Sequence, residues 1–311
     1  MENIKSLKIE KPSIFQIEIT NRCTLRCIMC IRNYIPRNNG DMPLDKFMDI
    51  VFSNPQIKMV DLTGFGEPFL HKNFLEILHT VKSEKIFTSF NTNFMCVTPK
   101  IMEEIISIGV DRIIISFDAA SKETYEAIRK GADYNKVLDN IKTLSDIKKN
   151  LSSSVPEVWI NYVVMKNNAY EAPRIIPIAS NLGISRVVFT KLIVSEEMKE
   201  LYPLSPDTLP REALQKCFKD VYSIARKMNI KVDFSLFNKY SVKECQLPWN
   251  YCFISYDGDV HPCCFVYRTK FGNVFKNSLT RIWASKEYQK IRKEISKGIL
   301  PKVCTGCPAF K

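Results

Sequence analysis

Residues 19–32 read Ile-Thr-Asn-Arg-Cys-Thr-Leu-Arg-Cys-Ile-Met-Cys-Ile-Arg and present three cysteines, Cys23, Cys27 and Cys30, at a C-x3-C-x2-C spacing. The segment directly follows a strand-like run at 15–19, so the three thiols share one loop at the end of a strand. A 4Fe-4S cluster and a closed structural zinc site each take four protein ligands. With three thiolates from one loop and no fourth cysteine nearby, one iron of a cluster would remain open to a small ligand.

The chain beyond this loop alternates strand-like and helix-like segments. Strand-like runs lie at 15–19, 59–63, 88–92, 112–117, 158–164 and 186–189. Helix-period segments lie at 44–52, 73–83, 100–108, 122–129, 136–148 and 172–182. Six such units predict a parallel sheet, because parallel strands need a crossover helix between them. Loops at the carboxyl ends of such strands are where α/β barrels place their chemistry.

Composition limits the class of protein. The chain has 311 residues, a formal net charge of +12 and 45% hydrophobic residues, which excludes a disordered or collagen-like protein. Its apolar runs are far shorter than the roughly 18 to 20 residues that span a bilayer. Charged residues also interrupt 1–20, so this stretch lacks the apolar core of a signal peptide. We therefore expect a cytoplasmic protein without a membrane segment.

The cysteine loop and the alternation of strands and helices together resemble the radical S-adenosylmethionine (AdoMet) superfamily, whose signature is C-x3-C-x2-C. The resemblance implies that Cys23, Cys27 and Cys30 hold a 4Fe-4S cluster whose open iron is chelated by AdoMet. In that family one electron splits the sulfonium to give methionine and a 5′-deoxyadenosyl radical. The family's usual fold is a partial, six-unit (β/α) barrel, which agrees with the six strand-helix units predicted above.

Three further segments resemble AdoMet-contacting motifs of this family. Residues 62–68, Leu-Thr-Gly-Phe-Gly-Glu-Pro, resemble the Gly-Gly-Glu motif that receives the AdoMet amino group, with Phe65 at the second glycine. Residues 91–93, Asn-Thr-Asn, end the third strand where the family has a Thr-Asn-Gly turn, and Phe94 replaces the glycine. Residues 115–118, Ile-Ser-Phe-Asp, resemble the segment near the AdoMet ribose. The implied AdoMet-contacting residues are Gly64, Gly66, Glu67, Asn93, Ser116, Asp118, Arg129 and Asn161.

Each of these residues also has a purely structural explanation. The glycines suit a strand-ending turn, and Ser116 or Asp118 suits the N-cap of the following helix. An arginine on a helix, such as Arg129, is more often exposed to solvent than bound to a ligand. An amide at the end of a strand, such as Asn161, is common and need not bind a ligand.

Six more cysteines occupy the last quarter of the chain, and their wide spacing with a terminal C-x2-C suits zinc or an iron-sulfur cluster equally. The segment resembles the SPASM/Twitch extension of radical AdoMet enzymes, which carries auxiliary 4Fe-4S clusters. The shorter Twitch form, with one cluster and four ligands, fits six cysteines better than the two-cluster form. The implied ligands are Cys245, Cys263, Cys304 and Cys307. Cys252 and Cys264 then become packing residues, with Cys264 in place of Cys263 as the main alternative.

The expected fold class is therefore α/β, a partial (β/α)6 TIM-like barrel with a small cysteine-rich C-terminal domain of Twitch type. Its expected divisions are a barrel at 1–200, a linker and connecting helix at 201–240, and the auxiliary domain at 241–311. Residues 256–259, Tyr-Asp-Gly-Asp, predict the turn of a β-hairpin, and residues 279–297 predict a helix.

Most of the positive charge lies near the C-terminus, since residues 265–311 hold 11 Lys or Arg and 2 Asp or Glu. A basic face favours acidic partners, and a flavodoxin or ferredoxin that supplies electrons is the partner we expect. The alternative is a solvated helix with no partner. Nucleic acid is not favoured, because no RNA-binding pattern of aromatic and basic residues is present.

The expected function is reductive cleavage of AdoMet, followed by hydrogen abstraction from a small polar, carbohydrate-like substrate in a dehydrogenation or epimerisation. The short N-terminus leaves no room for a leader-peptide-binding domain, which favours a small substrate. Modification of a peptide or protein side chain, as in a RiPP maturase or a sulfatase-maturase-like enzyme, is the alternative. A zinc-stabilised binding protein is the non-enzyme alternative.

Overall fold

The computed structural model describes residues 11–237, 240–307 and 310, without the side chain of residue 236. Residues 1–10, which belong to the segment considered above as a signal peptide, lie outside this range. Within the described residues the strands form one sheet in the order β10-β9-β8-β1-β2-β3-β4-β5-β6-β7. The strands are β1 Ile14–Ile17, β2 Met59–Asp61, β3 Phe87–Thr92, β4 Arg112–Ser116, β5 Glu157–Val164, β6 Arg186–Lys191, β7 Lys231–Asp233, β8 Tyr251–Ile254, β9 Asp259–His261 and β10 Gly272–Asn273.

Helices connect the parallel strands β1 to β7, as the alternation of strand-like and helix-like segments predicts. The fold is therefore α/β with a mostly parallel sheet. The α-helices are α1 Leu44–Phe52, α2 Phe74–Ser83, α3 Pro99–Ile108, α4 Lys122–Ile128, α5 Tyr134–Asn150, α6 Ile175–Asn181, α7 Arg211–Lys227, α8 Leu247–Asn250, α9 Leu279–Trp283 and α10 Lys286–Ser296. No helix of the described residues is long and apolar enough to cross a membrane.

Local sequence explains where these helices begin and end. Helix α3 begins after Thr98, whose hydroxyl accepts a hydrogen bond from the backbone of Ile101, and it has proline at its first position. It ends at Gly109, whose φ of +79° is the left-handed conformation that glycine adopts without strain. Residues 279–297 form two helices rather than the one that was expected. The reason is Ser285, whose side chain caps α10 at the backbone N–H of Tyr288.

The two faces of the sheet have different characters. Phe90 of β3 packs edge-on against Phe74 of α2, with ring centroids 5.1 Å apart, so this face of the sheet meets the helices. Because side chains alternate along a strand, Ser89 and Asn91 point to the opposite face. That opposite face is the concave face, and it forms the interior of the partial barrel.

The cysteine-rich C-terminal region is joined to the barrel through the sheet itself. Strand β8 pairs in parallel with β1, with Phe15 opposite Cys252 and Ile17 opposite Ile254. The expected hairpin is present, since β8 and β9 are antiparallel on either side of the turn at 255–258. At the other edge, the segment expected to be linker and connecting helix contains α7 and also β7, which pairs with β6. The domain boundaries given above stay a prediction.

Candidate functional site

The loop with the first three cysteines follows β1 and is anchored to the end of α4. The backbone N–H of Arg26 donates to the carbonyl oxygen of Lys130 at 2.9 Å, and that of Ile28 donates to Ile128 at the same distance. The guanidinium of Arg32 also reaches back to the carbonyl oxygen of Leu25, at 2.7 Å. These bonds fix the loop at the carboxyl ends of the strands, as expected from the sequence.

The three thiols lie close enough to influence one another electrostatically. Burial raises the pKa of Cys27 to about 11, and the Arg129 guanidinium, with Nη1 at 3.8 Å from the Cys27 sulfur, opposes this rise. Burial also raises the pKa values of Cys23 and Cys30. No three Cys, His, Asp or Glu side chains of the described residues converge as they would on a single metal ion. A set of three thiols on one loop fits three corners of a 4Fe-4S cluster.

Glu67 is held rigidly beside this loop. Its carboxylate accepts hydrogen bonds from the Thr92 hydroxyl at 2.6 Å and from the backbone N–H of Asn93 at 2.7 Å. Burial raises the pKa of Glu67 to about 7, and these hydrogen bonds oppose the rise. The backbone N–H of Phe69 also donates to this carboxylate, at 3.4 Å. An ionised carboxylate has about four acceptor positions, so about one remains for an ammonium group. Contact with the AdoMet amino group stays a prediction.

The two glycines before Glu67 are explained by close approach of the backbone. A Cβ on Gly66 would overlap the carbonyl oxygen of Thr20 and lie 2.7 Å from that of Arg22. A Cβ on Gly64 would overlap the side chain of Glu18. The glycines therefore let the loop after β2 pack directly against the loop that carries the cysteines. Their contact with AdoMet stays a prediction.

Asn93 lies between Glu67 and the first cysteine. Its side-chain amide nitrogen is 3.7 Å from the sulfur of Cys23. The next residue, Phe94, has a φ of +59°, in the left-handed region that favours glycine. This explains why the related family motif has glycine at that position. Here the Phe94 ring is fully buried and packs near Phe69, which holds the conformation in place.

The structure gives Asp118 and Arg129 a shared role. They form a buried ion pair, with Arg129 Nη2 2.6 Å from Asp118 Oδ2, and Arg129 is not the solvated arginine considered above. Asp118 also accepts a hydrogen bond from the backbone of Val163 at 2.7 Å. Ser116 and Asn161 are opposite each other on β4 and β5, and both are half-buried. Ribose or adenosine contact by these residues stays a prediction.

The C-terminal thiols predicted as cluster ligands are neighbours in space. Cys307 and Cys245 lie near enough for their negative charge to raise the pKa of Cys304, and Cys304 acts in the same way on Cys263. Burial raises the pKa of Cys304 to about 12. This arrangement is compatible with one four-thiolate cluster, and the ligand assignment stays a prediction.

The two remaining cysteines of this region have different surroundings. Cys252 is fully buried on the helix-facing side, opposite Phe15 in the register of β1 and β8. Cys264 instead contacts the hydroxyl group of Tyr251. Cys252 therefore packs in the core, and the choice of Cys263 over Cys264 as a cluster ligand stays a prediction.

Sequence reasoning missed the buried pair of Glu18 and Arg37. Glu18 is fully buried, and Arg37 binds it through two nitrogens at 3.2 and 2.6 Å. Arg37 also lies over the ring of Tyr256 in the C-terminal hairpin, 5.2 Å from its centroid. The available signal was a single glutamate inside the apolar run at 15–19.

Comparison with known proteins agrees with this geometry. The sequence profile of the Radical SAM superfamily matches residues 17–176, and that of the SPASM iron-sulfur cluster-binding domain matches residues 245–308. The chain is 28% identical to the tungsten-containing aldehyde ferredoxin oxidoreductase cofactor-modifying protein of Pyrococcus furiosus, over 94% of this chain and 86% of that protein. It is 22% identical to the mycofactocin maturase MftC of Mycolicibacterium smegmatis, over 97% of this chain and 77% of that protein.

Among solved structures, the fold is similar to that of Streptococcus suis SuiB bound to S-adenosylmethionine, with a TM-score of 0.73 at 17% identity. The match covers 91% of this chain and 68% of SuiB. At this identity the likeness concerns the fold, and it agrees with a partial TIM barrel.

Proposed function

This chain belongs to the radical SAM superfamily, and from that premise we propose that it abstracts a hydrogen atom from a small polar, carbohydrate-like substrate, in a dehydrogenation or an epimerisation. Membership implies a 4Fe-4S cluster and AdoMet, and the SPASM match implies auxiliary iron-sulfur. When bound, the first cluster supplies the electron that cleaves AdoMet. Cys23, Cys27 and Cys30 are the residues that would hold it.

The observation that carries the proposal is the polar concave face of the barrel. Half-buried polar side chains point into it from successive strands near their carboxyl ends, whereas nearer the amino ends the same face carries half-buried apolar side chains such as Met59 and Ile114. These polar side chains are Gln16 of β1, Asp61 of β2, Asn91 of β3, Ser116 of β4 and Asn161 of β5. Amide, hydroxyl and carboxylate groups recognise the hydroxyls of a polar substrate by hydrogen bonds, and an apolar substrate would leave them unpaired.

The chain's own residues give this reaction its geometry. Glu67 offers a rigid, buried acceptor at the mouth of the barrel, and Gly66 brings its loop against the cysteine loop. The ion pair between Asp118 and Arg129 fixes the end of α4, which in turn anchors the cysteine loop. A site that is closed and fixed in this way keeps water from a reactive radical.

Peptide or protein side-chain modification is the second candidate. The observation that favours it is the match to a maturase, MftC, over nearly the whole chain. The two candidates differ in the size of the substrate, and not in the cleavage of AdoMet.

An acidic flavodoxin or ferredoxin is the reductant that we propose. On α10, Lys286, Lys290 and Lys293 are exposed, so the helix presents a basic face to solvent. Arg292 does not belong to this face, because it is buried and donates to the carbonyl oxygens of Pro248 and Trp283. The exposed lysines are suited to an acidic partner.

The deciding experiment is anaerobic turnover of the reconstituted protein with dithionite, AdoMet and candidate substrates in heavy water. We expect 5′-deoxyadenosine together with a product of the small substrate. Loss of two hydrogens indicates dehydrogenation, and an unchanged composition with one carbon-bound hydrogen replaced by solvent-derived deuterium indicates epimerisation. A preparation that holds stoichiometric zinc and never cleaves AdoMet would defeat the proposal in favour of a binding protein.

A further inference from the structure

The loop that carries Glu67 contacts the C-terminal region through the side chain of Phe65. We call residues 62–68, which follow β2, the Glu67 loop, and Phe65 stands there where the related family motif has its second glycine. The Phe65 ring packs edge-on against the rings of Phe253 and Tyr267, with centroids 6.2 and 5.6 Å apart. Both partners lie within the SPASM match. A glycine would make neither contact.

The two aromatic partners in the C-terminal region are themselves fixed. Phe253 is buried in β8 and packs against the ring of His261, with centroids 5.5 Å apart. Tyr267 donates its hydroxyl hydrogen to the carboxylate of Glu197 at 3.5 Å, and Arg268 forms an ion pair with the same carboxylate. The contact is therefore made with a fixed surface of the C-terminal region.

The backbone of Phe65 is held from the same side. Its N–H donates to Oε2 of Glu18 at 2.8 Å. Glu18 is fully buried and pairs with Arg37, whose guanidinium lies 5.5 Å from the Phe65 ring centroid and 5.2 Å from that of Tyr256 in the turn between β8 and β9. Both the ring and the N–H of Phe65 are thus connected to the C-terminal region.

Glu67 lies two residues after Phe65 and is fixed by the barrel on its other side. Its carboxylate accepts hydrogen bonds from Thr92 and Asn93 at the end of β3, and its N–H donates to the carbonyl oxygen of Arg22 at 2.7 Å. These bonds orient the carboxylate, whereas the contacts of Phe65 orient the backbone that leads into it. The position of Glu67 therefore depends on the C-terminal region as well as on the barrel.

We propose that Phe65 and Tyr267 are positioning residues for AdoMet binding: through their contact, the C-terminal region holds the Glu67 loop where Glu67 can accept the AdoMet amino group. The inference rests on the proposed function and deepens it. Without the contact the loop samples other positions, and the apparent affinity for AdoMet falls with the fraction of molecules whose loop is correctly placed. Because both rings are only half-buried, we expect their loss to loosen the loop without unfolding the protein.

The first test measures AdoMet binding by equilibrium dialysis to reconstituted protein of equal iron content. Phe65→Ala should raise the dissociation constant roughly 5- to 150-fold, the factor that two aromatic pairs are worth, and Tyr267→Ala should raise it less. Phe65→Tyr keeps the ring and should bind AdoMet like wild type. Phe218→Ala is the matched control and should also bind like wild type. Phe218 is half-buried and packs against two rings, those of Phe234 and Phe237, beside the edge strand β7.

A second background separates positioning from a general loss of structure. In Glu67→Ala protein, Phe65→Ala should weaken AdoMet binding no further, because the group that Phe65 positions is gone. Hydrogen-deuterium exchange of the iron-free protein gives a readout that needs neither cluster nor AdoMet. Peptides that cover residues 62–70 should exchange faster in Tyr267→Ala than in wild type, and Phe218→Ala should leave their exchange unchanged.

Three results would overturn the inference: Phe65→Ala binds AdoMet as tightly as wild type, its effect adds fully to that of Glu67→Ala, or Tyr267→Ala leaves the exchange of residues 62–70 unchanged. If Glu67→Ala itself binds AdoMet like wild type while the wild type still cleaves AdoMet, the inference fails and the proposed function stands. If the wild type does not cleave AdoMet, the proposed function fails, and the exchange measurement still decides whether the C-terminal region holds the loop.

Discussion

Removing the positive charge of Arg129 tests whether the buried ion pair holds the end of α4 in place. The side chains of Arg129 and Asp118 are 7% and 0% exposed, and their charged atoms lie 2.6 Å apart. At an effective dielectric constant of 20, this separation corresponds to about 6 kcal/mol of attraction. Desolvation offsets much of it, but Arg129→Gln leaves Asp118 buried and unpaired. We therefore expect a loss of about 3–5 kcal/mol in the free energy of unfolding.

The same helix offers a matched control. Lys122 and Glu126 lie 4.0 Å apart with side chains 51% and 34% exposed. A pair of this kind contributes at most about 0.5 kcal/mol, because water screens it. Lys122→Gln should therefore leave stability nearly unchanged.

The assay is urea unfolding of the iron-free, reduced protein, followed by circular dichroism. Asp118→Asn combined with Arg129→Gln should recover part of the loss, since no buried charge is then left without a partner. The reasoning is refuted if Arg129→Gln costs no more than Lys122→Gln, or if the double variant is less stable than the sum of the single changes predicts.

Three further predictions concern the clusters, AdoMet and acid stability. Wild-type protein reconstituted without oxygen should hold about eight iron and eight sulfide, and changing the three loop cysteines to alanine should leave about four, measured by iron assay. Glu67→Ala should weaken AdoMet binding by roughly 10- to 150-fold, measured by equilibrium dialysis, because one charge-assisted hydrogen bond is lost. Four hydrogen bonds from the start of α4 lower the pKa of Glu171. Its contribution to stability is therefore present above its unfolded pKa and is lost as the pH falls through the lower folded value. Urea unfolding between pH 7 and pH 3 should show a shallower acid-side decline in Glu171→Gln than in wild type.

Local sequence patterns predicted the helices and strands well. Helix α1 spans the predicted residues 44–52, because its apolar period of 3.6 residues is a local property. The turn after β3 could be recognised as well, although Phe94 stands where glycine is usual. Such features depend on neighbouring residues and can be read directly along the chain.

Long-range pairings could not be predicted in the same way. No local signal indicates that β8 pairs with β1, because both are short apolar strands that could join several neighbours. The buried charge of Glu18 was missed for a related reason. A carboxylate next to a strand is usually interpreted as facing solvent, and the burial of Glu18 depends on residues that are distant in the sequence, such as Arg37 and Tyr256.

The pairing of β1 with β8 also has a consequence for the order of events during synthesis. One edge of β1 stays open until β8 has emerged from the ribosome, 237 residues after Ile17, which takes about 10 to 50 s at ordinary elongation rates. The cysteine loop begins six residues after Ile17, so it emerges at the start of this interval. Release of a truncated chain before β8 would leave an unpaired strand edge, which is a template for aggregation. Slow codons before β8 lengthen this interval and should therefore lower the yield of active enzyme.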